Sequence, residues 1–327
     1  MKRFNHLFDQ VVSFENLLQS YRYAKKGTGT TFQTCQFFYH LENELINLQD
    51  ELKNETYQPS PYKYFQIYDP KKRTIAVATF RDRVVHHAIV RVLTPIYEKI
   101  FIYDSYATRK NKGTHIAICR AQQFARRRSY YMKFDIEKFF DSVDHQILLN
   151  IVSRKIKDKK LMHLIEKIIR NIDNNKGLPV GNLTSQFFAN VYLNAFDHFI
   201  KEEKRIKDYL RYMDDFVLFH DNPSVLKTLK LEIIDYLNEM LKLQINKKAT
   251  MMHHTGHGLS YLGMRIYAGC IRVKRENRRR SIKRILKNIE SWHAGECTEP
   301  YLCQSISSVV DHLKHFCPHI NTWVPEP

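Results

Sequence analysis

The sequence predicts an α+β protein from three observations: long segments with apolar residues at helical spacing, a few short β-prone runs between them, and no internal repeat or low-complexity tract. Residues 1–56 read as helical. Phe14, Leu17, Leu18 and Tyr21 share one stripe, and Phe37, Phe38, Leu41, Leu45, Leu48 and Leu52 form another after the Gly27-Thr28-Gly29-Thr30-Thr31 break. Across Pro70, residues 62–80 alternate aromatic and polar side chains, which predicts a hairpin from Tyr62–Tyr68 and Arg73–Val77. A helix is expected from Asp82 to about Tyr97, with acid in its first turn and a kink at Pro95. A strand over 130–136 leads into a helix capped by Ser142 and continuing past Leu148-Leu149. Helix 159–172 places Leu161, Leu164, Ile165, Ile168 and Ile169 on one stripe and ends at the glycine-proline loop 177–181. Thr184 to about Lys204 is a further helix, carrying Phe187, Phe188, Val191, Tyr192, Ala195, Phe196 and Phe199. Residues 209–219 predict two strands joined by a tight turn, and 223–243 a helix. The basic run Ile271–Arg284 is expected as a helix with the apolar stripe Ile282, Ile285, Leu286 and Ile289, followed by helical residues 299–316.

At 327 residues the chain is long enough for two or three subdomains. Lys and Arg number 52 against 34 Asp and Glu, a formal net charge of +18, and a polyanionic partner follows, since each neutralised phosphate releases counterions. No apolar run reaches about 18 residues and no charged-then-hydrophobic leader opens the chain, so no membrane partner and a cytoplasmic setting are expected. Six cysteines, Cys35, Cys119, Cys270, Cys297, Cys303 and Cys317, lack the spacing of a disulfide framework. Cys297, Cys303 and Cys317 with His312, His315 and His319 lack the tight pairs of a structural zinc site; buried thiols and surface histidines are expected instead.

Chemistry concentrates at two acidic strand ends. Arg211-Tyr212-Met213-Asp214-Asp215-Phe216-Val217-Leu218-Phe219 puts adjacent carboxylates at the tip of a predicted hairpin. Tyr131-Met132-Lys133-Phe134-Asp135-Ile136-Glu137-Lys138-Phe139-Phe140 ends a second β-prone run in acid. If Asp135 and Asp214 share one site, divalent cations relieve their repulsion, and hard oxygen ligands suit Mg2+. Two such ions about 3.5–4 Å apart would activate a hydroxyl and stabilise a leaving pyrophosphate in an in-line displacement.

Tyr212-Met213-Asp214-Asp215 with the upstream Asp135 strand resembles the palm of a reverse transcriptase. The similarity extends in order through a fingers-like segment around Arg73, the Asp135 strand, Gly177-Leu178-Pro179-Val180-Gly181-Asn182-Leu183-Thr184-Ser185-Gln186, the Asp214-Asp215 turn, and Leu259-Ser260-Tyr261-Leu262-Gly263, which resembles a primer grip. The resemblance implies a right-hand polymerase fold: a helical N-terminal extension over 1–60, fingers over 61–130 and 145–180, a palm of antiparallel sheet and helices over 131–144 and 181–263, and a basic helical thumb over 264–327. It implies RNA-directed DNA polymerase activity with two Mg2+, Mn2+ being a substitute, on template RNA and an RNA–DNA hybrid with dNTPs.

By the same resemblance, Asp135, Asp214 and the Ile136 carbonyl hold metal, with Asp215 a weaker third acid. Arg73 closes over the triphosphate, with Lys71 or Lys72 adding a point charge. Phe140 gates the sugar 2′-hydroxyl, because a phenyl edge leaves that hydroxyl without a partner. Tyr212 and Gly263 border the nucleic acid, and Lys274, Arg275, Arg278, Arg279 and Arg280 supply a basic backbone grip. Val180, Gly181 and Gln186 line the nascent pair. There the chain departs from the broad family, whose form is Gln-Gly-x-x-x-Ser-Pro: Val180 stands for the glutamine and Gln186 for the proline. That exchange resembles reverse transcriptases of diversity-generating retroelements, bacterial or phage enzymes that miscopy adenines of a template-repeat RNA and bind a small basic helical-bundle accessory protein. The alternative is a defence-associated or group II intron-like reverse transcriptase, although about sixty residues after Gly263 leave little length for a maturase extension. Asn246-Lys247-Lys248-Ala249-Thr250 resembles the motif that follows the palm, with Ala249 where lysine is typical.

Overall fold

The structure, a computed structural model, describes residues 3–26, 28, 29, 31–68, 72–172 and 174–314. In chain order these form α1 (Phe8–Val12), α2 (Phe14–Lys25), α3 (Phe32–Tyr39), α4 (Leu41–Lys53), β1 (Lys63–Ile67), β2 (Arg73–Val77), α5 (Phe80–Tyr97) and α6 (Thr114–Arg127). Next come β3 (Tyr130–Asp135), α7 (Phe139–Ser142), α8 (His145–Ser153), α9 (Lys159–Ile169), α10 (Leu183–His198) with a π-helical turn over Phe199–Glu203, β4 (Tyr209–Tyr212) and β5 (Asp215–His220). The chain continues through α11 (Pro223–Leu241), β6 (Met251–His254), β7 (Leu259–Tyr261), β8 (Met264–Ile266), β9 (Ile271–Val273), α12 (Arg275–His293) and α13 (Glu299–Lys314). Helices with short antiparallel strands bear out the α+β expectation.

Three sheets form. β1 and β2 make a hairpin, β4-β5-β3-β6 make the central four-stranded sheet, and β7-β8-β9 make a third. Strand alternation splits the central sheet between two cores. Met132, Phe134, Tyr209, Phe216 and Leu218 join the large core with α5, α8, α10 and α11, where Phe134 stacks on Phe216 at 4.9 Å between ring centroids. Tyr131, Leu210, Val217 and Phe219 face a smaller core of α6, β7 and β8 residues. Asp135 and Asp215, opposite each other in register, share the face of Tyr131 and Lys133.

Several boundaries differ from expectation for local reasons. Thr79 caps α5: its hydroxyl accepts from Asp82 N at 3.2 Å and donates to Asp82 Oδ2 at 2.6 Å, so the helix starts at Phe80. Ser142 does not cap the helix after β3. Its hydroxyl bonds back to Lys138 O at 3.0 Å, Val143 is extended, and Asp144 caps α8 through Ile147 N at 3.0 Å. The basic run expected as one helix begins as strand β9, and α12 starts only at Arg275. Strand β6 and helix α6 went unread: Met251–His254 is half histidine, and the buried face of α6 is mostly alanine, with Ala117, Ala121 and Ala125 beside Ile118 and Phe124. Of the three cysteines expected to be buried, Cys303 is exposed, Cys297 half-buried and Cys317 outside the described residues; Cys35, Cys119 and Cys270 are exposed as well. Pro70, Lys71, His315 and His319 also lie outside them. Among the described residues no helix is long and apolar enough to cross a membrane.

Candidate active site

The site is built at one end of the central sheet. β4 and β5 join through Met213-Asp214, with Tyr212 opposite Asp215, and Met213 takes a left-handed φ of 58°. A two-residue connection with positive φ matches the twist of paired strands, and for a non-glycine residue that conformation stores on the order of 1–3 kcal/mol. The strain is held by surrounding structure. Asp135 ends β3 directly across from Asp215, so three carboxylates converge on the sheet end from two neighbouring strands.

Electrostatics mark the convergence. Burial pushes the Asp214 carboxyl above its usual range, with Asp135 adding to the rise and Arg73 and Arg211 opposing it. Burial likewise pushes Asp215 up to about 6, against the Lys133 ammonium, with Asp214 and Asp135 raising it further. Lys133 Nζ pairs with Asp215 Oδ2 at 2.7 Å and donates to Ser260 O at 3.2 Å. The other oxygen, Asp215 Oδ1, is buried without a hydrogen-bond partner among the described residues.

Asn246 fixes Asp135, its Nδ2 donating to Asp135 Oδ2 at 3.1 Å and its N to Asp135 O at 2.8 Å. On the far side Glu137 N donates to Gln244 O at 2.8 Å; these two bonds engage Asp135 O and Glu137 N, not the Ile136 carbonyl. Lys248 does not reach Asp135 as a cation; its backbone N donates to Asn246 Oδ1 at 3.2 Å and so shapes the turn.

The chemistry of the donor set fits a hard divalent cation: clustered half-buried carboxylates, an orphaned carboxylate oxygen, and one lysine already committed. No group of three His, Cys, Asp or Glu among the described residues closes into a cage. Mg2+ characteristically takes one or two carboxylates and completes its shell with substrate phosphates and water, so an open donor set suits it.

The predicted nucleotide-side residues gather along β2. Arg73 opens β2, within electrostatic reach of Asp214. Lys72 lies 5.9 Å from the Tyr68 ring centroid. The loop before α10 is sewn to β2, Ala76 N donating to Val180 O at 2.9 Å and Asn182 Nδ2 to Ala76 O at 3.1 Å. Gly181, at φ 113°, is required there: an added Cβ would sit 2.8 Å from Ile75 Cγ2 and 3.2 Å from Ala76 O. Gly181 and Gln186 line a cleft of about 430 Å³ with Phe65, Ile75, Arg83 and His87. Phe140 is half-buried on α7 beside Phe139, and its carbonyl accepts from Leu178 N at 2.6 Å.

The residues expected on the nucleic-acid side are more dispersed. The Tyr212 hydroxyl accepts from Thr114 Oγ1 at 3.2 Å, joining the β4–β5 hairpin to α6. Gly263 turns between β7 and β8, and its carbonyl accepts from Asn277 Nδ2 at 3.1 Å and Lys274 N at 3.2 Å, which docks α12 on the hairpin. Lys274 is half-buried, its ammonium lowered by burial first and by Lys133 next. Arg275, Arg278, Arg279 and Arg280 are exposed along α12.

The profile described as "Reverse transcriptase (RNA-dependent DNA polymerase)" matches residues 67–266, well over half of the chain, a span that holds Asp135, Asp214 and Asp215. The chain belongs to the reverse transcriptase family. Its relatives include Protein YkfC of Escherichia coli, 29% identical over 272 residues that cover 68% of this chain and 71% of that one. The group II intron-encoded protein LtrA of Lactococcus lactis is 29% identical over 207 residues, 59% of this chain and 33% of LtrA. A COX1/OXI3 intron 2 protein of Saccharomyces cerevisiae is 23% identical, covering 67% of this chain and 33% of its own. The chain thus spans about a third of these intron-encoded relatives. Apo telomerase from Candida tropicalis matches the fold at a TM-score of 0.54 and 15% identity, over 81% of this chain and 58% of that one. This reverse transcriptase therefore has the right-hand polymerase architecture.

Residue reading missed Lys133, Asn190, Asp197 and the role of Arg211. Lys133 was legible: two residues before Asp135, it must share that residue's face in a strand. The buried pair of Arg211 and Asp197 carries no such local signal, since its members lie on different elements.

Proposed function

We propose that this reverse transcriptase polymerises DNA on an RNA template by two-metal nucleotidyl transfer, in the mutagenic manner of diversity-generating retroelements. The convergence of Asp135, Asp214 and Asp215 at one sheet end carries the polymerase reading. Two Mg2+, replaceable by Mn2+, would lie on Asp135 and Asp214 with the Ile136 carbonyl, and supply charge neutralisation for the attacking 3′-hydroxyl and the leaving pyrophosphate. Lys133 takes one Asp215 oxygen, which makes Asp215 the weakest donor of the three. Arg73 binds the triphosphate with its planar fork, Lys72 adds positive charge, and Phe140 excludes a 2′-hydroxyl.

In this reading the fingers span 61–130 and 145–180, the palm 131–144 and 181–263, the thumb 264–327, and an N-terminal extension 1–60. Tyr212, Gly263, Lys274 and the α12 arginines then follow the RNA–DNA hybrid, and a basic helical-bundle protein is the expected accessory partner.

Val180 supports the mutagenic subtype. An aliphatic side chain beside the nascent pair offers no polar contact that distinguishes correct from mispaired geometry. Likeness to LtrA favours a second reading, a group II intron-like enzyme with another template. Primer extension on an adenine-rich RNA, with the cDNA sequenced for wild type and Val180→Gln, separates them. A high error rate at template adenines that falls in the variant supports the first; equal, low rates support the second; no extension at all overturns both.

A further inference from the structure

We propose that Arg211 is a positioning residue for the carboxylate turn, an inference that deepens the polymerase reading and rests on it. Arg211 is fully buried beneath the central sheet, on the face opposite to Asp135 and Asp215. A guanidinium has five N–H donors, and here each has a separate acceptor. Nε donates to Asp197 Oδ1 at 2.7 Å and Nη2 to Asp197 Oδ2 at 2.6 Å, a two-point fork onto α10. Nη1 donates to Asn190 Oδ1 and to Met213 O, both at 3.0 Å, and Nη2 also reaches Ser105 Oγ at 3.3 Å.

The Met213 bond is the one that matters for chemistry. Met213 is the left-handed residue of the turn, and its carbonyl belongs to the peptide that leads into Asp214. The guanidinium therefore grips the strained peptide from below while its other end is bolted to α10 and to the 104–106 segment. That segment is itself laid against β4, with Tyr106 N donating to Arg211 O and Arg211 N to Asp104 O, each at 2.9 Å. Asn190 completes the frame by donating to Ala107 O at 2.9 Å. Asp214 thereby inherits its orientation from a buried frame on the far side of the sheet from Asp135 and Asp215.

Lysine keeps the charge but has three donors radiating from one point, so it cannot hold Asp197 as a fork and reach Met213 O as well. A buried methionine–leucine pair removes the ions altogether, and such replacements leave many proteins folded. Two variants follow, Arg211→Lys and the double variant Arg211→Met with Asp197→Leu. Each is compared with wild type for folding by circular dichroism and Tm, for kcat and dNTP KM in primer extension, and for the rise in Tm on adding Mg2+ alone. Expected are folded variants whose kcat is down by about tenfold or more, with KM for dNTP within about threefold, and a Mg2+-induced Tm rise reduced by about half or more.

Folded variants with wild-type kcat and an undiminished Mg2+ response overturn the proposal. Failure of both variants to fold also overturns it, because Arg211 is then a stability element. If wild type does not extend primers, the polymerase reading fails separately, and the Mg2+ response still decides whether Arg211 orients the carboxylates.

Discussion

Asp214→Asn removes a charge from the sheet end without removing bulk, so extension should be abolished in a protein that still folds and binds RNA; a metal-dependent rate near wild type would sink the assignment. Asp135→Asn should match it, and the double variant should be no worse than either, as expected of groups acting together. These carboxylates were legible because they stand at the ends of apolar, β-prone runs in a chain that is otherwise strongly basic. Less legible was what holds them: Asn246 lies over a hundred residues from Asp135, and Lys133 reveals itself only once strand alternation is applied. His86 offers a test unrelated to catalysis. Burial lowers its imidazole from 6.5 to about 4, the residue being only 2% exposed. Below pH 6.5 the unfolded chain takes up a proton that the folded chain refuses, so stability drops as pH falls from 6.5 to about 4 and levels off beneath. The loss from this residue is about 3 kcal/mol. Urea unfolding of His86→Leu at pH 7 and pH 4.5 should show a shallower fall than wild type; identical falls would exclude His86 as the cause.

At the level of elements, β2 and the loop before α10 act as one piece. Gly181→Ala places a methyl against Ile75 and the Ala76 carbonyl at a φ that side chains rarely adopt. It should cost on the order of 1–3 kcal/mol and raise KM for dNTP more than it lowers kcat, measured by unfolding and steady-state extension. An unchanged KM would mean that this junction does not shape the nucleotide site. Helix α12 makes the opposite kind of statement, since no residue of it is fully buried. Replacing Arg278, Arg279 and Arg280 by Ala should weaken RNA–DNA binding and reduce its salt dependence by about 0.7–0.9 in log–log slope per lost phosphate contact. An unaltered slope would leave the arginines as solvent-facing charge. Helices with strong stripes, such as α9 and α11, were readable from periodicity alone. Starts and stops were less so: Ser142 and Asp144 are both credible caps, and only the extended Val143 between them decides which one starts α8.

Across the whole molecule, the α+β class and the order of functional segments were visible in the sequence, whereas the way separate segments lock together was not. Arg211, Asp197, Asn190 and the 104–106 segment are distant in sequence and meet only in the folded core, and no spacing rule announces such a meeting. The seam between Ala76 and Val180 has a further implication. β2 begins with the arginine assigned to the triphosphate, and the same strand is stitched to the loop assigned to base-pair scrutiny. Any displacement of the hairpin toward an incoming nucleotide drags that loop with it. On the proposed assignments, turnover speed and copying accuracy would share one mechanical coordinate, and selection acting on either would have to move both.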